Sequence, residues 1–206
     1  MKSIAGLATL TLLAGASVLS AQDVAAGKTG FAVCAACHGA NAEGNKALNA
    51  PALAGQEAWY VERQLANFKG GIRGGGADAF GAQMVPMAAM LATEAAIKDL
   101  AAYLASLSPA AVVHDGGGDV AAGQALYATC AACHGAAAEG NVALNAPKLS
   151  LQQDWYIVRQ LENFKSGARG AHASDVFGAQ MRPMAMILVD AAAQKNVAAY
   201  IASLGN

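Results

Sequence analysis

Aromatic side chains make up only 6% of this 206-residue chain and charged ones 13%. The first scarcity leaves little bulk for a core, since much of the 55% apolar content is alanine. The second, with a formal net charge of −1, leaves no polybasic footprint for nucleic acid. The composition is nonetheless too apolar for a disordered chain. Long apolar runs are missing beyond the N-terminus. There Lys2 precedes an apolar and small-residue run from Ile4 to Leu19, broken by Gly6 and Gly15 and followed by Ser20 and Ala21. A membrane-spanning helix needs roughly 20 apolar residues, so residues 1–21 read as a cleaved signal peptide. The mature protein is expected to be soluble and outside the cytoplasm.

What the chain does contain, it contains twice. CAACHGANAEGNKALNAP from Cys34 returns as CAACHGAAAEGNVALNAP from Cys130, an offset of 96 that also maps Trp59 to Trp155, Gln64 to Gln160 and Phe68 to Phe164. One inserted residue later, FGAQM at Phe80–Met84 returns at Phe177–Met181. Between the copies, Pro109 and the run Gly116-Gly117-Gly118 mark a linker. The expected organisation is therefore domain 1 at 22–108, a linker at 109–119 and domain 2 at 120–206. Domains this small bury only roughly 60% of their chain surface, so something besides side chains is expected to fill the middle.

No alternating strand pattern of useful length occurs, and the predicted fold is all-α. Ile97, Leu100, Ala101, Leu104 and Leu107 share one helical face, repeated by Val197, Tyr200, Ile201 and Leu204. Thr93 and Asp190 suit the N-caps of these helices. A second helix is predicted from Trp59 to Phe68, stopped by Gly70-Gly71, with its equivalent from Trp155 to Phe164.

All four cysteines fall in two Cys-x-x-Cys-His motifs, Cys34, Cys37 and His38, then Cys130, Cys133 and His134. On a helical turn, side chains three apart share a face. Two thiols can thus reach the two vinyl groups of one porphyrin while the next residue offers its imidazole to the iron, the pattern of covalent haem c attachment. Disulfides would explain neither histidine. Zinc sites place their cysteine pairs about 15 to 20 residues apart, and redox dithiols need a βαβ context that is absent here.

The sixth iron ligand follows by elimination. Domain 1 holds no histidine besides His38; His114 lies in the linker, and His172 has no counterpart in the first copy, so both are expected to be solvated. Methionine remains. The repeat pairs Met84 with Met181 and Met87 with Met184, but Met90 with Ile187 and Met186 with Ala89, so Met90 and Met186 read as core packing. Met84 and Met181 are favoured because each follows Phe-Gly-Ala-Gln, read as a flexible approach over a ring. Pro86 and Pro183 suit the first turn of a helix that carries Met87 and Met184, which stay as the alternative pair. A thioether and an imidazole on opposite faces favour Fe(II) and close the iron to other ligands, which makes an electron carrier rather than an enzyme. A di-haem peroxidase, needing an open iron, is the catalytic rival.

These residues resemble the cytochrome c4 family, di-haem periplasmic proteins built from two class I cytochrome c domains. The likeness runs through both CAACHG motifs, Asn49–Leu53 and Asn145–Leu149, the Tyr-x-x-x-Gln-Leu segments at Tyr60–Leu65 and Tyr156–Leu161, and the Met-x-Pro-Met turns followed by Ala-Ala-Tyr helices. It implies thioethers at the four cysteines, axial pairs His38 with Met84 and His134 with Met181, and imidazoles that donate to the carbonyls of Pro51 and Pro147. It also implies redox protein partners, with a quinol-oxidising complex as donor and a terminal oxidase as acceptor in a respiratory chain, and allows loose association with the membrane surface. An electron-accepting subunit of a larger dehydrogenase is the alternative role. Trp59, Tyr60 and Arg63, with Trp155, Tyr156 and Arg159, are expected to bond haem propionates or simply to pack on a helix face. Lys69, Arg73, Lys165 and Arg169 are expected on a solvated face near the haem edge, where they would tune docking.

Overall fold

A computed structural model describes residues 22–112 and 114–205; the expected signal peptide, 1–21, lies outside the described residues. The first half runs α1 (Val24–Phe31), α2 (Ala35–His38), α3 (Ala58–Lys69), α4 (Ala79–Ala82), α5 (Met84–Ala89) and α6 (Glu94–Ser106). The second half runs α7 (Val120–His134), α8 (Asp154–Ser166), α9 (Val176–Met186) and α10 (Ala191–Ser203). No strand occurs among the described residues, only the isolated bridges Asn45↔Ala50 and Asn141↔Ala146. The all-α expectation holds.

Side-chain caps start most of these helices. Asp23 and Asp119 accept the first free amides of α1 and α7, Thr93 accepts Ala96 N at the start of α6, and Asp190 accepts Ala193 N at the start of α10. Where the copies differ, glycine and proline account for it. The first copy breaks between α1 and α2 just after Gly30, a weak helix former, where the second has Leu126 and one continuous α7. Pro86 has no N–H to give the carbonyl of Ala82, where α4 ends. In the second copy the helix instead runs through Pro183, which therefore does not stand in a first turn as expected.

Within each half, the first helix crosses the last at a glycine. A Cβ at Gly27 would lie 2.0 Å from the carbonyl oxygen of Asp99, and one at Gly123 would lie 1.9 Å from that of Asn196. Rings pack beside the crossings, Phe31 on Tyr103 at 5.6 Å and Tyr127 on Tyr200 at 5.4 Å. The expected apolar face of α6 is buried through Ile97, Leu100, Ala101 and Leu104, and that of α10 through Val197 and Ile201.

The segment between the halves is strapped down. Asp154, 1% exposed, accepts the amides of Asp115 and Gly116, and Lys46 pairs with Asp115 at 2.6 Å. Gly118 serves close approach here: a Cβ on it would lie 2.2 Å from the carbonyl oxygen of Lys195.

Gly123→Ala forces two backbones apart, and overpacking of this kind costs roughly 1–3 kcal/mol. Gly30→Ala, which meets nothing within 4 Å, should be neutral or slightly stabilising. Thermal unfolding of the two variants should diverge by several degrees; equal midpoints would refute the crossing as a tight contact.

Candidate haem sites

Each Cys-x-x-Cys-His motif ends a helix, and the turn after it folds back on the histidine. Gly44 N donates to the His38 carbonyl, Asn45 and Ala50 exchange two backbone hydrogen bonds, and Asn49 adopts the left-handed conformation with φ of 57°. That loop brings the Pro51 carbonyl to 2.8 Å from His38 Nδ1; the second copy brings the Pro147 carbonyl to 2.8 Å from His134 Nδ1. A carbonyl only accepts, so Nδ1 carries the proton and Nε2 keeps its lone pair for a metal.

Both imidazoles are buried, at 5% and 6% exposure, and burial pushes their pKa values down while the prolyl carbonyls push back. At His134 the charge of Glu57 also pushes upward. A neutral imidazole is the form a metal requires. Burial pushes the Cys34 and Cys130 thiols up, the opposite of a nucleophilic redox dithiol. None of the four cysteines is paired in a disulfide.

A cavity of about 430 Å³ joins the two halves, lined by Cys34, Cys37 and His38 with Met84 and Met87, and by Cys130 and His134 with Met181 and Met184. Cys133 is exposed one turn from Cys130. Met84 and Met181 stand in helices α5 and α9, not in a flexible approach, and both members of each methionine pair reach the cavity. Met90 and Met186, expected in the core, are 62% and 60% exposed. The helix turn that directs Met84 and Met87 into the cavity points Met90 outward. His114 and His172 are both exposed.

The polar wall of this cavity departs most from expectation. Arg73 and Arg169 are not solvated but buried, at 6% and 7% exposure. Arg73 donates to Gln64 in its own half and to Tyr156 and Gln160 in the other; Arg169 donates to Gln160, and across to Tyr60 and Gln64. Arg63 reaches Asn145 and stacks on Phe177, while Arg159 reaches Asn49 and stacks on Phe80. Although burial pushes the Tyr60 hydroxyl up, the guanidiniums of Arg169 and Arg73 hold its pKa below the usual value. Lys69 and Lys165 are occupied as well, donating to the Leu91 and Leu188 carbonyls just beyond the methionine helices.

Several buried donors here have no hydrogen-bond partner within the protein, Trp59 Nε1, Arg73 Nε, Arg159 Nη1 and Arg169 Nε; of these, Arg73 Nε faces Asp78 Oδ2 in an ion pair at 3.9 Å. Buried cationic donors demand acceptors. A largely apolar cavity with thiols, imidazoles and thioethers in its walls, and unpaired guanidinium N–H groups at its polar side, fits a porphyrin bearing carboxylates.

The family model for cytochrome c matches residues 24–108 and again 120–205. The chain is 37% identical to cytochrome c4 of Azotobacter vinelandii, over 79% of its own length and 83% of that protein. The chain belongs to the cytochrome c4 family. It is similar in structure to reduced recombinant cytochrome c4 from Pseudomonas stutzeri, with a TM-score of 0.71 and 29% identity over 88% of this chain and 98% of that one. It is also 31% identical to a thiosulfate dehydrogenase electron acceptor of Stutzerimonas stutzeri, across 100% of this chain and 97% of that protein. As a member of this family with two tandem cytochrome c domains, the chain carries two covalently bound haem c groups and works as an electron carrier, not an enzyme.

In domain 1, the core residues Phe31, Val61, Leu65, Phe68, Leu100 and Leu104 also line the cavity. Haem is therefore part of the core. Cys37→Ser should accumulate poorly and, stripped of haem, show weakened helical circular dichroism; a well-folded haem-free domain would contradict this.

Proposed function

We propose that the chain is a periplasmic shuttle passing single electrons between respiratory complexes, through haems held by Cys34, Cys37, Cys130 and Cys133 and ligated by His38 with Met84 and His134 with Met181. The observation that carries this reading is that each buried, Nδ1-protonated imidazole shares one apolar cavity with a repeat-paired methionine. Each haem supplies an iron that alternates between Fe(III) and Fe(II), taking or giving one electron. The prolyl carbonyls hold the imidazoles in one tautomer and orientation. The apolar lining excludes water and so limits the reorganisation that a change of charge demands. The arginine pairs hold cationic donors where the haem carboxylates would otherwise be buried uncompensated. Residues 22–108 and 120–206 serve as the haem domains in this reading, joined by 109–119 and preceded by an export signal at 1–21.

A quinol-oxidising complex as donor and a terminal oxidase as acceptor fit a carrier with two haem ports. Among the described residues no single helix is long and apolar enough to cross a membrane, and a loose surface association suffices for such partners. The full-length likeness to a thiosulfate dehydrogenase electron acceptor supports a second reading, in which the donor is a dehydrogenase. Stable co-purification of such an enzyme would favour it over free shuttling.

Met84→Ala should remove the sulfur-to-iron ferric absorption band from one haem and lower that haem's potential, since the soft thioether favours Fe(II). An unchanged spectrum would move the assignment to Met87. The reduced protein should not bind carbon monoxide readily at neutral pH; ready binding would sink the carrier reading and favour a peroxidase-like one.

A further inference from the structure

Each proximal imidazole donates to a peptide whose other end is bonded across the domain boundary. His134 Nδ1 donates to the Pro147 carbonyl at 2.8 Å, and the N–H of that same peptide unit, on Lys148, donates to Glu57 Oε2 at 2.8 Å. In the first half, His38 Nδ1 donates to the Pro51 carbonyl at 2.8 Å, and the N–H of that peptide, on Ala52, donates to Gln153 Oε1 at 3.0 Å. Glu57 and Gln153 hold the same place in the repeat, just before α3 and α8. The two relays are reciprocal but end differently: an anion ends the relay to His134 and a neutral amide ends the relay to His38. The amide of Gln153 also donates to the Glu43 carbonyl at 2.8 Å, a bond no carboxylate can make.

We propose that Glu57, a domain 1 residue, is a positioning residue for the domain 2 haem: it polarises the Pro147–Lys148 peptide, strengthens the hydrogen bond from His134, and holds that haem's reduction potential below the value a neutral amide would set. The proposal rests on the reading of His134 as the axial ligand. A hydrogen bond to a carboxylate is roughly twice as strong as one between neutral groups. An anion at the N–H end of a peptide increases the electron density on its carbonyl, and successive hydrogen bonds reinforce one another in a low-dielectric interior. An imidazole whose N–H is held more strongly donates more electron density to the metal and stabilises Fe(III). The negative charge adds a direct attraction for the ferric form. Lys148 brings a charge of opposite sign where the first half has Ala52, so what is proposed is the effect of Glu57 itself, not the order of the two potentials.

The test is a spectroelectrochemical titration of the di-haem protein, its two haems assigned by NMR. Wild-type protein should first show two low-spin His/Met ferric spectra; their absence from domain 2 would overturn the ligation by His134 and Met181 and not the relay. Glu57→Gln still accepts from Lys148 N. It should raise the domain 2 potential by up to roughly tenfold in the Fe(II)/Fe(III) ratio, about 59 mV for one electron, and leave domain 1 nearly unmoved. The His134 Nδ1 proton resonance should shift upfield as its hydrogen bond weakens. Gln153→Glu should lower the domain 1 potential instead. No shift in domain 2, a fall there, or an equal shift of both haems in Glu57→Gln overturns the proposal.

Discussion

The hydrogen bond from each proximal imidazole to a prolyl carbonyl is the constraint on which the rest of the structure turns. It ties the helix bearing the cysteines to the Asn-Ala-Pro loop, fixes the tautomer, and aims Nε2 into the cavity. Without it a buried neutral histidine would carry an unpaired N–H, a penalty of roughly 1–3 kcal/mol. The left-handed asparagine, the paired bonds between Asn45 and Ala50, and the turn at Gly44 all serve to place that one carbonyl.

The second organising feature is the interface, which repeats the logic of a two-fold dimer within a single chain. Arg63 finds Asn145 and Arg159 finds Asn49; Arg73 finds Gln160 and Arg169 finds Gln64. Guanidiniums buried this deeply are costly unless each has acceptors, and those acceptors lie mostly in the opposite half. The arginines hold the domains together through these bonds and keep donors on Arg159 and Arg169 free to meet the carboxylates of a bound haem.

Much of this was readable in the sequence, because haem attachment is a covalent demand with fixed spacing and because the chain states its domain twice. The helix faces at Ile97–Leu104 and the caps at Thr93 and Asp190 followed from periodicity and side-chain chemistry. What could not be read was whatever depends on one half meeting the other. Arg73 and Arg169 look like sparse surface charges on a glycine-rich loop until the opposite helix closes over them. Met90 and Met186 look like core residues until the helix phase at Met84 and Met181 turns them outward. Gly27 and Gly123 gave no local signal, since only a crossing helix makes a missing Cβ necessary.

A duplicated domain begins with two equivalent sites, so any functional difference must enter where the copies depart from one another. Most departures are peripheral: Val142 for Lys46 and Leu126 for Gly30 change surface or helix continuity. Two lie together at the helix start after the haem loop. Asp154 replaces Ala58 and anchors the connecting segment through two of its amides. Gln153 replaces Glu57, one residue earlier. Because the interface crosses over, each of these residues acts at the relay of the opposite haem or on the segment between domains. Each relay ends on a residue of the other domain, so a substitution at Glu57 or Gln153 acts on the haem of the domain it does not belong to.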